Sequence, residues 1–166
     1  LPFPDGCVDA ALAQLVLHFV PEPLAAAAEM RRILRPGGVA AACVWDFHDG
    51  MRLLRAFWTA ARVLDPAAPD EAETMRFGRD GELAELLVEA GFADVARGAL
   101  EVEVEYRDAD ELWVGFLAGA GPAGAYVAAQ DGERAAALRD GLLAELGRPS
   151  GPFRLGARAW YASGRR

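Results

Sequence analysis

The chain has 166 residues and a net charge of −8 at neutral pH, and 53% of its residues are hydrophobic. That apolar content supports a folded core and excludes wholesale disorder. The negative charge argues against nucleic acid or an anionic membrane surface as a partner, because both are bound through positive surfaces. The apolar runs fall short of the roughly 18 residues needed to span a bilayer, so we expect no membrane insertion.

The cysteine and arginine content indicates the cellular compartment of the protein and the base composition of its gene. Cys7 and Cys43 are far apart in the sequence and do not form a metal-type pair. We interpret them as reduced thiols of a cytoplasmic protein without a metal site. All 17 basic residues are arginine, and lysine and asparagine are absent. Because lysine and asparagine have A/T-rich codons, we expect a bacterial gene of high G+C content.

The first 45 residues predict a strand–helix–strand unit. Residues 8–15 (VDAALAQL) form an apolar run, and Pro23 suits the first turn of the helix that follows. Pro36 ends this helix, a glycine pair turns the chain, and residues 39–45 (VAAACVW) form a second apolar run. Apolar runs of this kind are typical of parallel strands covered on both faces, so we expect the two strands to be adjacent and parallel.

Helices dominate the prediction for the next part of the chain. Apolar residues at helical spacing predict a helix over residues 51–64 and a second helix that begins with Asp80 as its cap and ends at Gly91. Farther on, Asp108 and Glu111 have the spacing of a capping box for a short helix.

The remaining segments predict strands, a loop and one more helix. The strict alternation of residues 100–106 (LEVEVEY) predicts a strand with one wet glutamate face, which is typical near a sheet edge. Residues 119–124 predict a small-residue loop, residues 131–146 a helix, and residues 153–162 a last strand. We find no internal repeat and no linker, so the sequence predicts one α/β domain.

A series of short motifs runs through the first 46 residues in a fixed order. The motifs are Leu1-Pro2-Phe3, Asp5 and Asp9, the pair Leu17-His18, and the run Arg32-Ile33-Leu34-Arg35-Pro36-Gly37-Gly38. In this order they resemble class I S-adenosylmethionine-dependent methyltransferases, in particular the group similar to ubiquinone- and menaquinone-biosynthesis methyltransferases. Two positions depart from that pattern: Val8 stands where phenylalanine is usual, and Phe19 where a second histidine is common.

The resemblance implies a Rossmann-like class I methyltransferase fold. This chain would supply its C-terminal half, strands four to seven, mostly parallel with an antiparallel closing strand. The glycine-rich cofactor loop and the acidic residue for the ribose would belong to an N-terminal segment that is missing from residues 1–166. Gly119, Gly121 and Gly124 have a dinucleotide-loop spacing, but they follow a predicted helix instead of a strand, so we interpret this match as accidental.

The resemblance also implies S-adenosyl-L-methionine as the cofactor, bound beyond the carboxyl end of the first strand. The expected contacts are Leu1 for the adenine and Gln14, Leu15 and Val16 for the methionyl part, with His18 as a wall of the cofactor or acceptor site. Structural alternatives stay open for three of them. Gln14 could bond only to local backbone, Leu1 could serve loop packing, and His18 could cap the following turn.

The acceptor side of the site has its own candidates. We expect Asp46, His48 and Trp58 to contact a small-molecule acceptor, with a solvated loop as the alternative for the first two and ordinary core for Trp58. His18 and His48 are the catalytic candidates, because imidazole titrates near neutral pH and can take up a proton. Four further aromatic residues could either line an apolar acceptor pocket or belong to the ordinary core, namely Phe57, Trp113, Phe116 and Tyr126.

Two classes of function remain at this stage. The first is transfer of a methyl group to a small-molecule acceptor by the complete protein. The second is an incomplete or degenerate copy without catalysis, which acts at most as an interaction module. In either case we expect the 166-residue chain alone to be inactive and to self-associate, as a homodimer or larger, through the open edge of its first strand.

Overall fold

A computed structural model describes residues 1–119 and 121–166 as an α/β structure. Within these residues four strands form one sheet, in the order β1-β2-β4-β3. The strands are β1 Val8–Gln14, β2 Leu34–Trp45, β3 Ala93–Tyr106 and β4 Phe153–Arg165.

Helices occupy most of the chain between the strands. They are α1 Pro23–Ile33, α2 Arg52–Leu64, α3 Glu71–Thr74, α4 Glu82–Glu89, α5 Ala109–Leu117, α6 Gly121–Ala128 and α7 Gly132–Glu145. The predicted helices are confirmed with small shifts of their ends, whereas α3 was not predicted. The predicted loop over residues 119–124 is wrong in part, because α6 begins at Gly121; Ala120 lies outside the described residues.

The described chain forms two compact units. The first contains residues 1–48, 75–101 and 158–166, and the second contains residues 49–74 and 102–157. Each unit has its own cluster of buried apolar side chains.

In the first unit, β1 and β2 pair in parallel, with Gln14 opposite Cys43. Strand β4 pairs with β2 in the antiparallel direction, with Ala159 opposite Trp45. The parallel pairing and the antiparallel closing strand are both confirmed. The buried side chains of this sheet pack with those of α1 and α4 into one core, which includes Met30, Ala40, Ala42, Val44, Leu83, Leu87 and Ala162.

The burial of β1 differs from the prediction. This strand lies at the edge of the sheet, and Ala11 is its one buried residue. Leu12, which points to the opposite face from Ala11, is 78% exposed. The prediction of a strand covered on both faces is therefore wrong for β1 within the described residues, whereas its position at an open edge of the sheet is the expected one.

The ends of α4 show one wrong and one confirmed prediction. Asp80 does not cap this helix: Gly81 occupies the cap position, and the Asp80 carboxylate pairs with Arg97 at 3.1 Å. At the other end, Gly91 has a φ of +85°. The Gly91 and Phe92 amides donate to the carbonyls of Val88 and Leu87. These bonds form the Schellman motif expected of a glycine after a helix.

Strand β3 lies at the second edge of the sheet, as the alternating pattern predicts. Its apolar side chains are nevertheless half exposed, at 50% for Leu100, 50% for Val102 and 48% for Val104. The expected burial of that face is therefore wrong. In the second unit, Arg154 forms ion pairs with Glu103 and Glu105, at 3.4 and 2.7 Å.

The core of the second unit consists mainly of aromatic and leucine side chains from its helices. Phe57 of α2 stacks on Phe116 of α5 with ring centroids 4.7 Å apart. The cap of α5 is confirmed, because the Asp108 carboxylate accepts the Glu111 amide at 2.8 Å. The Glu111 carboxylate accepts the amide of Arg107, one residue before the position that a standard capping box uses.

Candidate functional site

The carboxyl ends of β1 and β2 lie side by side, because the two strands are parallel and in register up to Gln14 and Cys43. Beyond Gln14 the chain turns at Leu15, which has a φ of +56°, and enters a short 3₁₀ turn at Leu17–Phe19. Beyond Trp45 the chain continues directly into Asp46. This edge therefore brings together six of the eight predicted site residues, namely Gln14, Leu15, Val16, His18, Asp46 and His48.

The Gln14 side chain is exposed and available. Its carboxamide makes no hydrogen bond within residues 1–119 and 121–166, so the alternative of a purely local backbone bond is not observed. Gln14 lines an open, mainly apolar groove of about 600 Å³ on the sheet face, together with Leu12, Ala13, Ala41, Ala42, Cys43, Ala99, Leu100 and Tyr161. Val16 is 49% exposed just beyond it. These groups can meet a ligand without any rearrangement of the core.

His18 is buried beside two aromatic rings. It is 7% exposed, and its ring lies 4.0 Å from that of Phe19 and 5.5 Å from that of Phe47. Its Nδ1 has no hydrogen-bond partner in the described part of the chain, so this nitrogen does not cap the adjacent turn. Burial lowers the pKa of His18 from its usual value, so the imidazole is neutral near pH 7.

The Asp46 carboxylate is buried and hydrogen-bonded to other residues of the protein. It is 1% exposed, and its Oδ2 accepts two hydrogen bonds from Arg158, at 2.8 and 2.6 Å. Its Oδ1 accepts the backbone amide of His48 at 3.1 Å. The solvated-loop alternative is therefore wrong for Asp46, whose carboxylate anchors the loop. His48 itself is half-buried.

Sequence reasoning missed Arg158 because its partner is 112 residues away in the chain. The available signal was a charged residue in the middle of the last strand, directly before the run Ala159-Trp160-Tyr161-Ala162. A charge in such a place needs a partner. Naming Asp46 as that partner would have required the register between β2 and β4.

Leu1 lies apart from this edge. Its amino group bonds Glu29 at 2.8 Å, and its carbonyl accepts Arg32 at 3.3 Å, so Leu1 sits beside the second half of α1. The side chain is 60% exposed. Its role at the adenine stays a prediction, and so does the alternative of loop packing.

Trp58 belongs to the second unit and is fully buried. Its indole Nε1 donates to the Glu71 carboxylate at 2.9 Å, and burial raises the pKa of Glu71. Four other aromatic candidates pack with Trp58 in the core of this unit, namely Phe57, Trp113, Phe116 and Tyr126. These aromatic side chains pack in the core, as the alternative for them states. Contact between Trp58 and an acceptor stays a prediction.

Metal-binding clusters and membrane-spanning helices are both absent from the described residues. Residues 1–119 and 121–166 contain no group of three or more histidine, cysteine or acidic side chains that could hold a metal ion. Across the same residues, no helix combines the length and the apolar character needed to cross a membrane.

Comparison of the whole fold with solved structures gives matches over nearly the entire chain. One is to a candidate type II methyltransferase of Anaeromyxobacter dehalogenans, with a TM-score of 0.62 and 23% identity over 98% of this chain and 66% of that one. The chain has a class I methyltransferase fold. A second match is to a candidate methyltransferase of Bacillus halodurans, with a TM-score of 0.51 and 11% identity over 99% of this chain and 67% of that one.

Sequence comparisons agree over shorter stretches. Residues 1–42 match the protein-family model described as Methyltransferase domain. An uncharacterized chloroplastic methyltransferase of Arabidopsis thaliana is 50% identical over 50 residues, which is 30% of this chain and 14% of that protein. An uncharacterized 37.1 kDa protein from a transposon of Streptomyces fradiae is 37% identical over 100 residues, which is 56% of this chain and 26% of that protein. The matched parts thus span about a quarter or less of these relatives.

Proposed function

We propose that the full-length protein is an S-adenosylmethionine-dependent methyltransferase that acts on a small-molecule acceptor, and that this chain carries the acceptor-selecting part of it. The observation that supports the proposal most is that the methyltransferase-domain match contains four of the six predicted site residues at the strand edge, namely Gln14, Leu15, Val16 and His18. The methyltransferase-domain match covers residues 1–42, which contain β1, α1 and most of β2. The same β1–α1–β2 unit forms the strand edge that gathers six of the predicted site residues.

The residues at this edge suit one part of the cofactor. The unpaired Gln14 carboxamide offers both a donor and an acceptor, which matches the charged amino and carboxylate groups of a methionyl chain. The exposed Val16 offers apolar contact next to it. Bound there, S-adenosylmethionine would supply an activated methyl group on its sulfonium.

The protein's own contribution is orientation, exclusion of water and, for acceptors of high pKa, removal of a proton. His48 is the better placed of the two histidines for proton uptake, because it is half-buried and next to the strand edge. His18 is buried and neutral, and suits a wall of the site better than a base. The proposal includes a cytoplasmic setting and self-association, which remain open to test.

Gln14→Ala tests the cofactor contact. Loss of one neutral hydrogen bond is worth about 1 kcal/mol, so we expect S-adenosylhomocysteine to bind roughly fivefold more weakly. Isothermal titration calorimetry on the full-length protein measures this. Gln130→Ala is the matched control, since Gln130 is the other glutamine of the chain and its side chain donates to the Tyr126 carbonyl.

Two outcomes would contradict parts of this proposal. Equal affinities of wild type and Gln14→Ala would assign Gln14 a purely structural role. The absence of any binding of S-adenosylhomocysteine or S-adenosylmethionine by the full-length wild type, together with no radiolabelled methyl transfer to a panel of phenols, enols and amines, would favour the non-catalytic copy.

A further inference from the structure

The C-terminal end of β2 is joined twice to the middle of β4, through Asp46 and Arg158. The Asp46 amide donates to the Arg158 carbonyl at 2.9 Å, and the Arg158 guanidinium donates twice to the Asp46 carboxylate. Both bonds from the guanidinium reach the same oxygen, Oδ2, which leaves Oδ1 for another donor. Charge-assisted bonds of this kind are among the stronger ones in proteins.

The second carboxylate oxygen fixes the loop that follows β2. Oδ1 accepts the His48 amide, so the chain from Asp46 to His48 is held in a tight turn. Phe47, at the middle of this turn, is 3% exposed and contacts the ring of His18. One carboxylate therefore sets the position of His48 and, through Phe47, the surroundings of His18.

The guanidinium itself is oriented by an aromatic ring. Its central carbon lies 4.8 Å from the centre of the Trp160 ring, two residues along β4. A planar guanidinium can stack on a ring and donate two hydrogen bonds at its edge, whereas an ammonium has no such plane. Lysine at position 158 would keep the charge and lose most of the fixed geometry.

We propose that Arg158 is a positioning residue for the acceptor side of the site, acting through Asp46 to hold Phe47 against His18 and to fix the backbone of His48. The kinetic part of this inference rests on the proposed methyl transfer. The positional part does not, because it concerns the arrangement of the protein's own side chains.

The kinetic test compares Arg158→Met and Arg158→Lys with wild type in the full-length protein. Arg154→Met is the matched control on the same strand, because Arg154 pairs with two exposed glutamates away from the turn. Loss of a charge-assisted bond at a buried carboxylate predicts a drop in kcat/KM of roughly tenfold or more for Arg158→Met. We expect the drop to appear in the acceptor KM and kcat, with S-adenosylhomocysteine affinity within about twofold of wild type. Partial rescue is expected in Arg158→Lys and no change in Arg154→Met.

The positional test uses nuclear magnetic resonance and needs no acceptor. In Arg158→Met the His48 amide and the imidazole signals of His18 and His48 should shift, while Arg154→Met should leave them unchanged. Unchanged signals in Arg158→Met would overturn the inference. Two kinetic results would also overturn the inference. One is a loss of kcat/KM in Arg158→Met that is matched by an equal loss of cofactor affinity. The other is an equal loss of kcat/KM in Arg158→Lys and Arg158→Met. If wild type binds no cofactor, methyl transfer fails as the function, and the shifts alone still decide whether Arg158 positions the turn.

Discussion

Burial affects the two polar residues at the centre of the site in different ways. The Asp46 carboxylate accepts hydrogen bonds from the Arg158 guanidinium and from the His48 amide. The Nδ1 atom of His18 has no partner in the described chain. A buried polar group without a partner costs about 1–3 kcal/mol, while a paired one is close to neutral. The stability of the first unit therefore depends on His18 staying uncharged.

This dependence predicts a loss of stability in mild acid. The pKa of His18 lies below 6.5 in the folded state, and near 6.5 in the unfolded chain. Well above the unfolded pKa both states are neutral at this residue, so it contributes no pH dependence there. As the pH falls below that value, the unfolded state binds more protons and the free energy of unfolding decreases, by about 1.4 kcal/mol for each unit by which burial lowers the pKa.

His18→Phe should remove this part of the acid sensitivity, because phenylalanine fits among the same rings and does not titrate. Urea unfolding at about pH 7.5 and about pH 5.5 measures the difference, since these values bracket the ordinary histidine pKa. His48→Phe is the control and should keep the wild-type loss, because His18 remains. An undiminished loss in His18→Phe would show that other groups cause it.

At the scale of single elements, the sequence was most informative where local chemistry decides the structure. The glycine after α4 and the aspartate before α5 were predicted from their spacing, and both make the expected bonds. Asp80 was mistaken for a cap because two neighbouring residues, Asp80 and Gly81, could each occupy that position. The exposure of Leu12 on β1 and the partner of Asp46 depend on strand order and register, which local patterns do not encode.

The left-handed conformation at Gly91 predicts a specific cost for a side chain there. In Gly91→Ala the new Cβ would have ordinary space, with its nearest atom at 3.5 Å, so the penalty comes from the backbone alone. A non-glycine residue in this conformation costs roughly 1–2 kcal/mol. Gly132→Ala is the matched control: Gly132 begins α7 in open space, and alanine favours helix. Thermal unfolding should show a lower midpoint for Gly91→Ala and an equal or higher one for Gly132→Ala, and equal midpoints would argue against the helix end described here.

At the scale of the whole molecule, the open edge of β1 affects both the candidate site and the association of the chain with other chains. Exposed apolar side chains cluster in the first 19 residues, among them Leu1, Phe3, Leu12, Val16 and Phe19. An edge strand offers unpaired N–H and C=O groups, and apolar side chains beside such an edge favour pairing with another chain. Gln14 lies on this same strand, so whatever covers the edge also changes access to the proposed cofactor contact.

We therefore expect the 166-residue chain on its own to self-associate, and Leu12→Lys to reduce the association. A charge on an edge strand opposes strand pairing, because the paired state would bring two like charges together or desolvate them. Leu12 is 78% exposed in this structure, so the substitution should cost the folded chain little. Val63→Lys is the matched control, since Val63 is 77% exposed on α2 and lies on no strand. Size-exclusion chromatography with light scattering should show a mass above 17.7 kDa for wild type and Val63→Lys, and a mass near it for Leu12→Lys. A monomeric wild type would show that the β1 edge does not drive association, and an equal effect of both lysines would mean that net charge, and not the strand edge, controls it.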